Sequence, residues 1–408
     1  MYHYCFFICC LFFAASVFCQ TPFLVGFNLP EEVRYISVPI KVRHNLILVP
    51  LQINGSFTMD FILDTGVQYT FLTDSILCDL LSLRVNRELF VQGLGGKGSI
   101  KAGVAGGALI EIGEARFSHA SIVVLPSGVL SFSEIFACPV HGVIGYDLFR
   151  DFVVEIDYLS SRLKLYRRDK FRAGRNWSVL PLSIRGGKPY LQVNAVGNNG
   201  DAHLMDLLLD TGSSQALLLP WNSLSLPKRT LPAFLGRGLS GHIDGVVGYI
   251  DSLRFGKYCF ARPLACFPDS SAIVLSDSVQ LAWTGSIGGE IWHRFRVILD
   301  YEGGKIYLKK NARYGSKFLY NRSGIEIITS GAAYRNYYAS AVRMGSSASL
   351  AGVEVGDEIL SVNGQDLSEL EIESIYPLLE GRNGRFLRLK VLHNGQIRSI
   401  RFKLQEDL

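Results

Sequence analysis

The sequence predicts a mainly β protein made of two duplicated β lobes followed by a small α+β module. Short apolar or alternating runs, rich in β-forming residues and separated by turn residues, recur through the first three hundred positions. A pattern of glycines and acidic residues occurs twice along the same stretch. The final ninety or so residues follow neither copy, and their length is enough for a separate small domain.

Length and composition indicate a globular chain of two or three domains. The protein has 408 residues, of which 48% are hydrophobic and 19% charged. The net charge of +5 is small and not concentrated in long runs, so nothing favours a nucleic-acid partner. Residues 167–175 are the densest basic stretch, which we interpret as a solvated connector, with a patch for an anionic partner as the alternative. The expected boundaries are 1–19 for a leader, 30–170 and 177–311 for the lobes, and 315–406 for the last module.

The N-terminal segment predicts export. Residues 4–18 are almost wholly apolar, which is the length of a signal-peptide core and short for a membrane span. Val17 and Cys19 fit the −3 and −1 positions of a cleavage site, which would leave Gln20 as the new terminus. A lipid anchor on Cys19 is the alternative. We therefore expect a periplasmic, cell-surface or secreted protein.

Three groups of residues in the first copy reappear in the second. Each copy has an Asp-Thr-Gly triplet after an apolar run, then a glycine-rich stretch, then a triplet that ends in glycine. The matched groups are Asp64-Thr65-Gly66 with Asp210-Thr211-Gly212, Gly93, Gly95 and Gly98 with Gly236, Gly238 and Gly241, and Val143-Ile144-Gly145 with Ser286-Ile287-Gly288. One Asp-Thr-Gly could occur by chance, whereas two at equivalent places of a duplication indicate a duplicated site. A pair of Asx-type turns capping two hairpins is the alternative, and the matching second triplet in each copy argues against it.

These motifs resemble those of the pepsin and retropepsin aspartic peptidases. The stretch from Asp210 to Pro220 is similar to the pepsin-type signature, and Leu63 to Val67 looks more like the retropepsin-like form. The resemblance covers residues 30–311 and implies a two-lobed peptidase whose catalytic pair is Asp64 and Asp210. Two carboxylates that face each other share one proton, so one accepts a proton from water while the other polarises the scissile carbonyl.

The same resemblance assigns supporting roles. Thr65 and Thr211 would bond the two loops to each other, and Gly66 and Gly212 would permit tight turns. Ser213 would hydrogen-bond Asp210. The corresponding position in the first copy is Val67, so we expect Asp64 to carry the shared proton more often. The remaining support residues are Ile144, Gly145, Ile287 and Gly288.

The glycine-rich stretches predict flexible hairpins. Gly93, Gly95 and Gly98, like Gly236, Gly238 and Gly241, match G-x-G-x-x-G, but no helix is expected directly afterwards, so nucleotide binding is disfavoured. Their repeated position favours flaps over a substrate cleft.

The last ninety residues resemble a PDZ domain. The matching residues are Ser323-Gly324-Ile325 as the carboxylate-binding loop, Gly352, Gly356-Asp357, and Asn363-Gly364. The resemblance implies that a peptide adds as a strand and that its C-terminal carboxylate meets the loop. A purely structural module is the alternative.

The remaining expectations concern partners and cofactors. Cys78, Cys138, Cys259 and Cys266 lie outside the leader, and either disulfides or buried thiols are compatible with the sequence. No metal-binding spacing occurs, so we expect neither a metal nor another cofactor. The expected function is a monomeric endopeptidase acting on polypeptides, and the alternative is a catalytically inactive PDZ-bearing scaffold.

Overall fold

The computed structural model describes residues 26–96, 98–273, 283–406 and 408. The fold is mainly β, as the sequence predicts, and the described strands form four sheets. The expected leader at 1–19 and its cleavage position lie outside the described residues. No described helix is both long and apolar enough to cross a bilayer.

The first lobe is organised around a nine-stranded sheet. Its strand Leu46–Ile53 is buried along most of its length, as its apolar run predicts. The strands are Phe27–Asn28, Lys41–Arg43, Leu46–Ile53, Met59–Leu63, Thr70–Leu72, Val85–Val91, Ile100–Ile112, Ala115–Val124 and Gly142–Ile144. The helices are Leu77–Leu80, Phe132–Phe136 and Tyr146–Asp151.

The second lobe repeats this order in a ten-stranded sheet. Its strands are Ser183–Arg185, Lys188–Val196, Ala202–Leu209, Leu217–Leu218, Leu231–Gly238, Gly241–Tyr249, Ser252–Phe255, Tyr258–Ala261, Leu264–Pro268 and Ser286–Ile287. The helix Gly289–Trp292 corresponds to Tyr146–Asp151 of the first lobe, and Ser270–Ala272 forms a 3₁₀ turn.

In each lobe, a short strand lies between the strand that precedes the Asp-Thr-Gly loop and the strand that follows it. Gly142–Ile144 lies parallel to Met59–Leu63 and antiparallel to Thr70–Leu72. In the second lobe, Ser286–Ile287 lies parallel to Ala202–Leu209 and antiparallel to Leu217–Leu218. Because parallel strands end at the same sheet edge, each arrangement places a glycine-ending triplet beside an Asp-Thr-Gly loop.

A six-stranded antiparallel sheet joins the two lobes. Its strands are, in spatial order, Ser178–Pro181, Lys305–Lys310, Phe295–Asp300, Val153–Asp157, Arg162–Tyr166 and Tyr35–Pro39. Val154 pairs with Leu299 and Ile156 with Val297 at the junction between the halves. Since this sheet mixes both halves, the lobe boundaries at 170 and 177 stay a prediction.

The C-terminal module is a five-stranded sheet with one additional short strand and two α-helices. The strands are Ile325–Ser330, Asn336–Val342, Glu358–Val362, Gln365–Asp366, Phe386–His393 and Gln396–Lys403, and the helices are Ser347–Leu350 and Ile372–Glu380, with a 3₁₀ turn at Leu367–Glu369. Its core is continuous with that of the first lobe: Ile327 and Tyr376 belong to the same buried cluster as Phe132 and Phe136.

The four cysteines of the described chain are free thiols. Cys259 is exposed and pairs with Arg254, whereas Cys266 is buried between Leu218 and Val247. The two residues face different neighbours and form no disulfide with each other. The cysteines are therefore thiols, but of the four only Cys266 is buried, so the expectation of buried thiols holds for that residue alone.

Candidate active site

The two Asp-Thr-Gly loops begin where equivalent strands end. Asp64 follows Met59–Leu63 and Asp210 follows Ala202–Leu209, and both side chains are fully buried. The backbone N–H of Asp64 donates to Ile144 O at 2.9 Å, and that of Asp210 donates to Ile287 O at 2.9 Å. The inserted strands therefore hold both aspartates by the same bond.

The threonines tie the two loops together across the lobe interface. Thr65 N–H donates to Thr211 Oγ1 at 3.0 Å, and Thr211 N–H donates to Thr65 Oγ1 at 3.0 Å. Each hydroxyl then donates to a carbonyl of the opposite lobe, Thr65 to Leu209 at 2.5 Å and Thr211 to Leu63 at 2.8 Å. Four buried hydrogen bonds thus fix the separation of the loops.

The loops bring the two carboxylates into one site. A Cβ on Gly212 would lie 2.3 Å from Asp64 Cγ, so only glycine leaves room for the opposing side chain. Gly66 N–H donates to Asp64 Oδ1 at 2.6 Å, and Gly212 N–H donates to Asp210 Oδ1 at 3.0 Å. The other oxygen of Asp64, Oδ2, is buried and has no hydrogen-bond partner among the described residues.

The environment favours a protonated Asp64. Burial, reinforced by the charge of Asp210, raises the pKa of Asp64 well above its usual value. The Gly66 N–H and the charge of Lys188, a buried lysine, act in the opposite direction. Two carboxylates in such contact titrate as a pair, because ionising both places two like charges in a buried site.

Close packing explains why each second triplet ends in glycine. A Cβ on Gly145 would lie 2.3 Å from Asp64 O, and one on Gly288 would lie 2.3 Å from Gln215 O. Contacts this short with backbone atoms exclude any side chain. Ile144 and Ile287, which precede them, are fully buried. These residues support the loops from behind rather than facing a substrate.

Ser213 does not make the expected hydrogen bond. Its hydroxyl is buried without a hydrogen-bond partner among the described residues, so the expected bond to Asp210 is absent. Its backbone carbonyl instead accepts from Gly289 N–H at 2.6 Å. The tight packing of Gly288 against Ser213 orients the loop by main-chain contacts.

The two glycine-rich hairpins meet at their tips. Ser240 N–H donates to Leu94 O at 3.1 Å, and Gly95 N–H donates to Ala272 O at 2.9 Å. The backbones are in direct contact, since a Cβ on Gly238 would lie 2.0 Å from Leu94 O. The other expected flap glycines lie at or near this contact. Gly93 N–H donates to the Ser240 hydroxyl, which in turn donates to Gly98 O. Gly236 and Gly241 both have positive φ.

One hairpin is connected to the Asp210 loop. The side chain of Gln215, in the Asp210 loop, donates to Leu235 O in the strand Leu231–Gly238 at 2.7 Å. This contact links the position of the hairpin to that of the loop.

The sequence reasoning missed a buried polar cluster behind the second loop. Asn45 Nδ2 donates to Ser214 O at 3.1 Å and to Glu290 Oε2 at 3.0 Å. Glu290 also pairs with Arg294 at 2.5 Å, and both side chains are buried. Burial raises the pKa of Glu290 to about 8. The duplication gave the one available indication, because it aligns Glu290 in the sequence with Asp147 of the first copy. Burial raises the pKa of Asp147 to about 6.

The expected carboxylate-binding loop of the C-terminal module is internally bonded. Asn321 Oδ1 accepts from the N–H groups of Ser323 and Gly324 at 3.1 and 3.2 Å, and the Ser323 hydroxyl accepts from Ile325 N–H at 3.1 Å. Ser323 N–H also faces Leu379 O at 3.1 Å. A ligand carboxylate would have to replace these bonds.

The first lobe contacts the strand Ile325–Ser330 and the helix Ile372–Glu380 of this module. Thr329 Oγ1 donates to Glu134 O at 2.6 Å, and the ring of His44 packs edge-on against Tyr376 at 5.1 Å. Burial lowers the pKa of His44 to about 3, so this ring is neutral. Arg43 forms an ion pair with Glu373. The module is therefore docked on the first lobe.

No cluster of His, Cys, Asp and Glu suited to a metal ion occurs in the part of the chain that the structure describes.

Two regions of the chain match known family models. Residues 49–148 match the family model for aspartyl proteases, and residues 338–392 match the PDZ domain model. A carboxyl-terminal-processing peptidase 1, chloroplastic, from Arabidopsis thaliana is 42% identical over 62 residues. This match covers 15% of the present chain and 13% of that relative.

Proposed function

We propose that this protein is an exported aspartic endopeptidase that hydrolyses peptide bonds with a water molecule activated between Asp64 and Asp210. The observation that carries the proposal is the burial of both carboxylates in one site formed by cross-bonded loops. The match of residues 49–148 to the aspartyl protease family supports it.

The chemistry follows from two buried carboxylates that share one proton. Burial and the charge of Asp210 raise the pKa of Asp64, so in this proposal Asp64 holds the shared proton and donates it to the scissile carbonyl through Oδ2, which has no hydrogen-bond partner among the described residues. The ionised Asp210 accepts a proton from the attacking water. The Gly66 N–H and the Gly212 N–H each hold the Oδ1 atom of the aspartate in their own loop. The paired hairpins would close over the peptide and exclude bulk water.

Both catalytic loops lie in one chain, so a monomer contains a complete site. The apolar residues 4–18 support export with cleavage before Gln20. Sequencing the N-terminus of protein recovered outside the cytoplasm tests export, and a chain that still begins at Met1 contradicts cleavage. For the PDZ domain we propose peptide binding at Ser323, Gly324 and Ile325, in exchange for the internal bonds.

The decisive experiment measures cleavage of a peptide library by the wild-type chain and by Asp64→Asn and Asp210→Asn. Each variant should lose at least about 1,000-fold in kcat, because either substitution removes the proton-sharing pair. Asp300→Asn is the matched control, since Asp300 lies outside the site and accepts from Gly303 N–H. Pepstatin should inhibit the wild type. Cleavage that survives both substitutions would rule out the mechanism, and a chain that binds but never cleaves would favour the scaffold alternative.

A further inference from the structure

A cavity of about 860 Å³ lies between the second lobe and the PDZ domain. Tyr249 and Ala261 line it from the lobe, Phe318 and Leu319 from the connecting segment, and Pro377 from the PDZ helix. The strand Ile325–Ser330, along which a PDZ ligand would add, does not line it. The cavity is therefore separate from both the catalytic pair and the PDZ groove.

Cationic side chains dominate the charge of this cavity. Five of them line it, from all three parts of the chain, together with the carboxylates of Glu380 and Glu406. The five are Arg262, Lys317, Arg322, Arg382 and Arg385. Within the described residues, none of these five forms an ion pair with a carboxylate. Like charges gathered around one concave surface raise its positive potential and favour an anionic ligand.

Two of the cations are held in place by neighbours. Arg322 Nη1 donates to Glu380 O at 2.9 Å and to Gly381 O at 3.1 Å, at the C-terminal end of the helix Ile372–Glu380. The guanidinium of Arg262 lies 4.8 Å from the centre of the Tyr249 ring. The ring and the backbone carbonyls thus fix part of the cationic surface, which lowers the entropic cost of binding.

The lining combines this charge with apolar surface. The part-exposed side chains of Tyr249, Leu319 and Pro377 line the cavity beside the charged groups. An inorganic anion would use the cations and leave the apolar part without contacts. A peptide in which carboxylate and apolar side chains alternate would use both, and the volume is within the range of binding pockets for sizeable ligands.

We propose that this interdomain cavity is an exosite that binds an acidic segment of a polypeptide substrate through its cationic side chains. The inference rests on the proposed peptidase function and names its substrate class. Binding across the junction would hold a substrate against the second lobe and the PDZ domain together. Recognition of the acidic segment would then be separate from recognition of the cleaved bond.

The test uses the full chain carrying Asp64→Asn and Asp210→Asn, so that binding is measured without cleavage. A fluorescent peptide of alternating Asp, Glu and Phe is titrated by anisotropy, beside a matched peptide with Asn and Gln. The acidic peptide should bind at least about 10-fold more tightly, and its affinity should fall as salt rises from 50 to 500 mM, roughly as expected for screened ion pairs. Equal binding of the two peptides would overturn the proposal.

Variants locate the site. Arg382→Ala with Arg385→Ala should weaken the acidic peptide at least about 10-fold. Lys257→Ala with Lys309→Ala removes the same charge from exposed positions of the second lobe and should change affinity less than about twofold. Arg382→Glu, which reverses one charge, should weaken binding more than Arg382→Ala alone. Equal losses in the two double variants would show a general charge effect and refute the site.

Competition separates the possible anions. Unlabelled acidic peptide should displace the probe, whereas inorganic phosphate and tripolyphosphate should do so only at far higher concentration. Displacement by phosphate at equal concentration would replace the peptide exosite with a small-anion site. Because these measurements do not need catalysis, failure of the exosite leaves the peptidase proposal intact. Conversely, if the wild-type chain cleaves nothing, the binding measurements still show whether the cavity binds an acidic peptide.

Discussion

Asn45 of the first lobe donates its side-chain amide to the backbone carbonyl of Ser214, four residues beyond Asp210. This bond connects a hairpin turn of one lobe to the Asp210 loop of the other. The preceding residues Arg43 and His44 contact Glu373 and Tyr376 of the PDZ domain. The three consecutive residues 43–45 thus contact both the PDZ domain and the loop that carries Asp210.

Replacing Asn45 should reduce turnover more than it reduces substrate affinity. Asn45 has φ of +66°, a conformation that favours Asn and Gly, so Asn45→Gly removes the amide while keeping the turn. We expect kcat to fall about 10-fold with KM nearly unchanged, because a misplaced Asp210 loop affects the reacting groups. Steady-state kinetics measure this difference, and circular dichroism checks the fold.

A second substitution separates strain from the lost bond. Asn45→Ala removes the same amide but also strains the left-handed turn, so its free energy of unfolding should lie below that of Asn45→Gly by about 1 kcal/mol. If Asn45→Gly retains full kcat, the bond to Ser214 does not position the loop.

Thr211→Val should destabilise the protein and impair the site together. The substitution keeps the shape but removes the hydroxyl that accepts from Thr65 N–H and donates to Leu63 O. Each group left unsatisfied costs about 1–3 kcal/mol, so urea unfolding should show a loss of about 2–5 kcal/mol. Thr211→Ser keeps both bonds and should recover most stability and kcat. A Val variant as stable as the wild type would contradict this account.

The duplication made the aspartates and their glycines predictable, because two copies of a short motif at matched positions are hard to obtain by chance. Residues 93–98 and 236–241 were likewise placed as hairpins by repetition, although only the structure brings Leu94 against Gly238. Asn45 and Arg43 carried no such mark: their partners lie far along the chain, and a polar residue in a turn is ordinary. Ser213 is the opposite case. Its motif predicted a hydrogen bond from the hydroxyl to Asp210, and in the structure that hydroxyl has no hydrogen-bond partner among the described residues.

The pH dependence of stability should change when Asp64 is replaced. The folded-state pKa of Asp64 lies well above its unfolded value, chiefly through burial, so the protonated form is the one that the fold favours. Its contribution to stability is fully present below the unfolded pKa and is lost as pH rises through the folded pKa. Asp64→Asn, which cannot ionise, should gain stability relative to the wild type as pH increases.

Denaturant unfolding from pH 4 to pH 8 measures this difference, and activity provides a second readout. The wild-type rate should fall on the alkaline side as the pair loses its shared proton. Asp300→Asn serves as the control, with a pH profile parallel to that of the wild type. A constant difference between Asp64→Asn and the wild type at all pH values would show that Asp64 ionises as it does in the unfolded chain.

The contact between the hairpin tips should be required for substrate capture rather than for folding. In Gly238→Ala the new Cβ would lie 2.0 Å from Leu94 O, a backbone atom that cannot move without displacing the opposite hairpin. The tips must separate, so we expect KM to rise about 10-fold and the free energy of unfolding to change by less than about 1 kcal/mol. Gly98→Ala provides the matched control, because nothing lies within 4 Å of the Cβ it would add. Peptide cleavage kinetics and urea unfolding of both variants make the comparison. If both variants behave alike, or if Gly238→Ala unfolds the protein without raising KM, the hairpins do not act as flaps over a substrate.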